Sequence, residues 1–281
     1  MAADDAWSGR TVRAPMGYFG GAPEKPTFHA QDHGHDNWWP DTHEITFHDG
    51  RSMATAPSLD RERFALVPHK TRVKDFTNRE EAKATYGREL EELIQGLTGA
   101  SKVVAYTFGH VRYSPRTPSY KTGSNSQPAH FPHVDCTPKT SHGLVPNTVF
   151  GLKQEILKPG QYLVGYNIWR VISEPPQDMP LAVCDARAVA RGDLIEADGV
   201  YDFGERPWMT SEAYLVRHNP EHRWVYFKDM RPDEALVFRG FGNEPGWIAG
   251  VPHCAFQDPT CPADAGGRIS VEAHAYAVFD T

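Results

Sequence analysis

The chain has 281 residues, 40% hydrophobic and 23% charged, with a formal net charge of −7. That length suits one large globular domain with a buried core, and the acidic balance argues against a general nucleic-acid binder, which carries a basic footprint. No apolar run approaches a transmembrane span, and the N-terminus lacks a charged-then-apolar signal pattern, so a cytoplasmic protein is expected.

With 24 Gly and 23 Pro the chain is rich in turns. That favours many short strands over a helix bundle. The four cysteines, Cys136, Cys184, Cys254 and Cys261, contain no C-x-x-C pair. They read as buried packing thiols rather than a disulfide framework.

Residues 1–43 are dense in Gly, Pro, Asp and His and read as an irregular N-terminal arm, anchored by Tyr18, Phe19, Trp38 and Trp39. The histidines here and just beyond (His29, His33, His35, His43, His48) match no metal-ligand spacing and are expected to be structural or surface residues. The main domain is placed at 44–281. Glu44–His48 alternates and ends at Asp49-Gly50, a strand entering a turn. Phe64–Val67 is a second strand. Thr77 and Asn78 are helix-cap candidates, with Glu80 and Glu81 placed to favour the positive end of the helix. Ala82, Tyr86, Leu90, Leu93, Ile94 and Leu97 then recur at helical spacing until Gly99, which predicts a supporting helix over 78–98.

Val103–Phe108 predicts a strand, and residues 114–129 a polar loop that could close as a lid over a neighbouring site. Further strands are expected at 161–172, 181–184, 214–216, 224–227, 235–238 and 268–279, with 185–207 polar. A run of strands after one early helix predicts a mostly β protein with flanking helices, built on a double-stranded β-helix (jelly-roll, cupin-like) core.

The polar loop leads into His133-Val134-Asp135. In an extended chain residues i and i+2 point the same way, so this spacing aims an imidazole and a carboxylate at one point. Those two donors suit a divalent transition metal, and a second histidine would complete a triad with positions open for substrate and oxygen. The same pair is also common as a hydrogen-bonded structural pair, so the third ligand decides. His253 is the best placed, after a glycine-rich loop and 120 residues beyond His133. His218 and His222 flank Asn219-Pro220-Glu221, which reads as an exposed hairpin tip and suits buried ligands poorly.

On the last strand Arg268, Ser270, Glu272, His274 and Tyr276 share one face, while Ile269, Val271, Ala273, Ala275 and Ala277 share the other. The first face is too polar for core. A guanidinium clasps a carboxylate through two parallel bonds, and a neighbouring hydroxyl adds a third. Arg268 and Ser270 are therefore candidate anchors for the distal carboxylate of a 2-oxo-diacid, and Arg170 is a second cationic candidate, alternatively held in an internal salt bridge with Asp185 or Glu272. Tyr106, Tyr113, Tyr162, Tyr166, Asn167, Trp169, Trp247 and His274 are candidates to shape a substrate pocket, aromatic core being the plainer role for most of the rings.

These residues carry a resemblance. The segments Ile45–Arg51, Val73–Phe76, His133–Asp135, Asn167–Arg170, Pro180–Arg187, His218–Trp224, Asp229–Glu234, Pro252–Phe256 and Arg268–Glu272, in that order, resemble the iron(II)- and 2-oxoglutarate-dependent oxygenases grouped with the cephamycin 7α-methoxylase small component, fungal gibberellin desaturase and fungal meroterpenoid oxygenases. The resemblance implies Fe(II), 2-oxoglutarate and O2 as cofactors, His133, Asp135 and His253 on iron, and Arg268 on 2-oxoglutarate. It implies oxidation of an unactivated C–H bond of a small secondary metabolite by hydroxylation, desaturation or oxidative cyclisation. Members often carry Arg where this chain has His274. Rival expectations are a cupin-type metal hydrolase or isomerase without 2-oxoglutarate, and a non-catalytic partner subunit of a tailoring enzyme. The expected partner is a small-molecule substrate, with no nucleic acid or membrane; a homodimer is compatible with the sequence.

Overall fold

The computed structural model describes Trp7 and residues 9–121, 126–140, 157–202, 207–244 and 249–280. Fourteen strands are formed among these residues. In chain order they are β1 (Thr11–Gly21), β2 (Thr27–His29), β3 (Trp39–Asp49), β4 (Phe64–Pro68), β5 (Lys102–Tyr113), β6 (His133–Val134) and β7 (Gln161–Val171). Then come β8 (Leu181–Cys184), β9 (Leu194–Asp202), β10 (Pro207–Val216), β11 (Trp224–Tyr226), β12 (Glu234–Gly242), β13 (His253–Ala255) and β14 (Ile269–Asp280). They make a nine-stranded sheet, β1-β3-β11-β8-β13-β6-β10-β9-β2, and a five-stranded sheet, β4-β12-β7-β14-β5. The jelly-roll core expected from the run of strands is the fold observed.

The described part of residues 1–43 is not an irregular arm. β1 pairs antiparallel with β3 from Thr11↔His48 to Gly21↔Trp39, and Val12, Ala14, Met16 and Tyr18 face inward. Pro15, Gly17 and Gly20 obscure that alternation in the sequence. They are tolerated because β1 lies at the edge of its sheet, where a strand bonds on one side only. The stretch 185–207, read from the sequence only as polar, contains β9, paired with β10 along most of its length.

The helical segment matches its sequence pattern closely. Asn78 Oδ1 accepts from the Glu81 backbone N–H at 3.2 Å, satisfying a helix-end donor. A short α1 (Arg79–Glu81) passes through a π-helical turn, Ala82–Tyr86, into α2 (Gly87–Thr98), and Gly99 closes it at φ +68°. Tyr86, Leu90 and Ile94 are fully buried against the five-stranded sheet, on Ala105, Val164, Tyr166, Ile168, Ala235, Val237, Val271, Ala273, Ala275 and Ala277. That is the outer face of this sheet. Its inner face meets the other sheet through Trp169, Val171, Leu236 and Phe238 on one side and Leu181, Val183 and Val225 on the other.

Candidate metal and co-substrate site

β6 is only two residues long, but it lies between β10 and β13, with His133 opposite His253. That pairing closes the gap of 120 residues. Asp135 comes directly after β6. The ligand atoms of His133, Asp135 and His253 all lie within 4.8 Å of one another. Asp135 Oδ1 is 3.5 Å from His133 Nε2 and 3.7 Å from His253 Nε2.

Each imidazole is oriented by its own backbone. His133 Nδ1 donates to the Phe131 carbonyl at 2.9 Å, and His253 Nδ1 to the Val251 carbonyl at 3.1 Å. With Nδ1 protonated, each Nε2 presents a lone pair toward Asp135, the form a metal ligand requires. Phe238 packs on the His253 ring, centroids 4.8 Å apart.

Burial alone would raise the Asp135 carboxyl, but the neighbouring imidazoles of His253, His133 and His274 hold it well below the usual range. Burial depresses His253, whereas in His133 the neighbouring Asp135 overcomes burial and raises it. Three donors around an ionised carboxylate fit a divalent cation.

A narrow cavity of about 20 Å³ runs from His133 and His253 to Arg268, lined also by Arg112, Trp169, Glu272, Pro128 and Ala129. Arg268 is 1% exposed. One arm donates to the Met179 carbonyl at 2.7 Å, and the guanidinium lies 5.5 Å from the centre of the Trp169 ring. Its Nε has no partner, and neither does the buried Ser270 Oγ. Burial and the nearby Arg112 push the Arg268 pKa down to about 9. A buried cation with a spare donor, beside a spare hydroxyl, is what an incoming carboxylate would satisfy.

The other expected residues divide by strand face. Along β7, Asn167 and Trp169 point inward. Asn167 Nδ2 donates to Asp135 Oδ2 at 2.6 Å. Arg170 points the other way, under the helix. Its Nε donates to the Tyr86 hydroxyl at 2.9 Å, and its other nitrogens meet the Pro232 carbonyl and His69 Nδ1. It is not brought to the site, and neither Asp185 nor Glu272 is its partner.

Tyr113 is not brought there either. It lines a separate cavity of about 590 Å³ on the outer face, with Val73, Phe76, Val111, Ile172 and Ile269. Tyr106 does face the site, stacked on His274 and Tyr276. His274 Nδ1 bonds the Thr107 hydroxyl at 2.7 Å, and its Nε2 is 3.9 Å from Asp135 Oδ2. Tyr162 stacks on Phe279 and Tyr166 is core, while Trp247 lies outside the described residues. His222 is not at an exposed tip: it is buried, with Nε2 3.1 Å from Asp193 and its ring stacked on Tyr18, away from the trio.

Sequence reasoning missed Arg112, Thr107 and Tyr201. Arg112 reaches Glu272 through two bonds of 3.3 Å because β5 pairs Arg112 with Ser270. Two register shifts between β5 and β14, at Glu272/Ala273 and His274/Ala275, break simple alternation there. Burial raises the Tyr201 hydroxyl pKa, and the nearby Asp135 raises it further. No local pattern marks Tyr201, since only the curl of β9 brings it in.

A family profile described as Oxidoreductase/YMDC permease-like domain matches residues 16–278. The alpha-ketoglutarate-dependent dioxygenase phiK of Fungal sp. (strain ATCC 74256) is 30% identical over 233 residues, 79% of each chain. The hydroxylase/desaturase efuI of Hormonema carpetanum is 28% identical over 232 residues, 77% of each. A solved variant of the iron and alpha-ketoglutarate-dependent endoperoxidase NvfI superposes with a TM-score of 0.82 at 21% identity, over 96% of this chain and 98% of that one, which supports the fold. Among the described residues no helix is long and apolar enough to cross a membrane. The chain belongs to this oxidoreductase family and is an iron(II)- and 2-oxoglutarate-dependent oxygenase.

Proposed function

We propose that His133, Asp135 and His253 hold the iron, that Arg268 and Ser270 receive the distal carboxylate of 2-oxoglutarate, and that the enzyme oxidises an unactivated C–H bond of a small secondary metabolite. The observation that carries this is one cavity with two open Nε2 lone pairs at one end and a buried, under-bonded guanidinium at the other. When bound, iron(II) would activate O2, the oxidant, with 2-oxoglutarate supplying two electrons as it is oxidatively decarboxylated to succinate and carbon dioxide.

The chain's own residues do the rest. Phe131 and Val251 carbonyls fix the imidazole tautomers. Trp169 covers the guanidinium and keeps that end of the cavity dry. As it stands the cavity has room for about one water, so a diacid enters only when the Arg112–Glu272 pair or the segment at Pro128 and Ala129 gives way. The described residues 126–131 of the loop leading to His133 are thereby the proposed cover over the bound substrate; residues 122–125 of that loop lie outside the described residues. Tyr106, Tyr201 and His274 line the approach on the substrate side. The unpaired thiols of Cys136, Cys184, Cys254 and Cys261 support a reducing, cytoplasmic setting.

The test is spectroscopic and catalytic together. Anaerobic addition of Fe(II) and then 2-oxoglutarate to the wild type should give a weak visible charge-transfer band, and the protein alone should form succinate in a substrate-dependent way. His133→Ala and Asp135→Ala should lose both while remaining folded. A metal-loaded protein without the band would point to a hydrolase or isomerase. No succinate from the protein alone would point to a non-catalytic partner subunit.

A further inference from the structure

We propose that Asn167 is the positioning residue of the metal centre: it binds one oxygen of Asp135, leaves the other for the metal, and keeps Glu272 and His274 from competing for that carboxylate. This rests on the assignment of His133, Asp135 and His253 as ligands.

A second trio, Asp135, Glu272 and His274, also places its ligand atoms within 4.8 Å of one another. Taken alone it would be a second metal site. Its centre is filled by an amide instead. Asn167 Nδ2 lies 2.6 Å from Asp135 Oδ2, 3.3 Å from His274 Nε2 and 3.5 Å from Glu272 Oε1. Ionised carboxylates only accept, so the amide must turn its NH2 edge toward them. With its Nδ1 bonded to Thr107, His274 can offer Nε2 as a further acceptor, sharing one of the amide's two hydrogens with Glu272.

The opposite edge of the amide agrees with that orientation. Asn167 Oδ1 is buried without a partner, on the side of Gly240. A Cβ on Gly240 would overlap that oxygen. The φ of Gly240 is one an alanine also adopts, so the absence of a side chain there serves the amide rather than the backbone. Asn167 is 1% exposed, which gives it no alternative partner in solvent.

The outcome is a division of the Asp135 carboxylate. Oδ2 is taken by Asn167, while Oδ1 is the atom facing both Nε2 lone pairs. Without the amide, Glu272 would stand as a second buried carboxylate close to Asp135, and His274 would draw Oδ2 toward itself. Either change swings Oδ1 off the metal position.

The experiment measures metal affinity, without turnover, by competition between apo-protein and a chromophoric chelator for Co(II) and, anaerobically, Fe(II). Asn167→Leu should weaken binding about 10–100-fold, as removing a group that orients a ligand does. Gly240→Ala removes no polar group and should weaken it as well, by displacing the amide. In an Asn167→Ala background, where that amide is gone, Gly240→Ala should have no further effect. Circular dichroism and melting of the apo-proteins check the fold, and if Asn167→Leu does not fold, the Gly240→Ala and Asn167→Ala cycle decides. Wild-type affinity in folded Asn167→Leu, or additive effects in the cycle, would overturn the assignment. A wild type that binds no metal, or a His133→Ala variant that binds as well as wild type, would instead remove the ligand assignment and this inference with it.

Discussion

Each histidine of the trio is held by a carbonyl two residues before it, just ahead of its strand, so ligand orientation is set locally and only proximity is left to the fold. Arg268 works differently: it is fixed by the Met179 carbonyl and Trp169, and its Nε, unpartnered among the described residues, is the group that meets a carboxylate in the proposed function. Arg268→Lys keeps the charge but loses the fork, and a charged hydrogen bond is worth about 1.5–3 kcal/mol. The 2-oxoglutarate concentration for half-maximal succinate formation should therefore rise about 10–150-fold, and an unchanged value would remove Arg268 from the co-substrate role. A second residue-scale prediction concerns pH. Burial and Arg170 depress the His69 pKa from 6.5 to about 4. A folded-state value below the unfolded one means the unfolded chain binds more protons between those limits. Stability is then fully present above pH about 6.5 and falls as pH drops toward 4, by up to about 3 kcal/mol. His69→Gln can still accept from Arg170 but does not titrate, so its denaturant midpoint should fall less across that window. Equal slopes for both proteins would show that His69 is not the sensor. The His-x-Asp spacing, His253 and the Arg-x-Ser pair are all visible as candidates in the sequence. Residue type alone groups Arg170 and Tyr113 with them, against the alternation that puts Arg170 opposite Asn167 and Trp169.

Among the elements, β7 shows the logic most plainly. Its odd positions, Asn167 and Trp169, face the site, and its even positions, Val164, Tyr166 and Ile168, face the helix. α2 packs only on that outer face. Ile94→Ala should therefore cost about 2–5 kcal/mol of stability through the cavity it leaves, with Co(II) affinity at 25 °C unchanged. Denaturation and metal titration of the same preparation check both halves, and a matching loss of affinity would show that the helix shapes the metal centre through the sheet. The helix is legible in the sequence because caps, spacing and a closing glycine agree with one another. β1 is not, because Pro15 and Gly17 are penalised in an ordinary strand and allowed at an edge. β5 is only half legible: Ala105, Phe108 and Val111 all pack on the helix side, a spacing of three that register shifts create and that a period of two cannot foresee.

For the whole molecule, the trio exists only once β6 and β13 are neighbours, so the metal binds the folded chain and not the unfolded one. Metal at about 100 times its Kd should then add about 2.7 kcal/mol of stability. Differential scanning calorimetry of apo-protein with and without Co(II) should show a higher midpoint with metal, and His253→Ala should show none; an equal shift in that variant would place the metal elsewhere. The number and order of strands make the jelly roll legible, but which strands flank which is not, and the register between β5 and β14 that brings in Arg112 belongs to that level. The two ends of the site are mounted on different sheets. His133 and His253 ride on the nine-stranded sheet, whereas Ser270 rides on the five-stranded one, with Arg268 directly ahead of the same strand. In the proposed function, the gap between the sheets is thus a calliper on the co-substrate. Its jaws are held apart by Trp169, Leu181, Val183 and Phe238, so the chain length of the diacid is measured by the hydrophobic core rather than by any polar group that touches it.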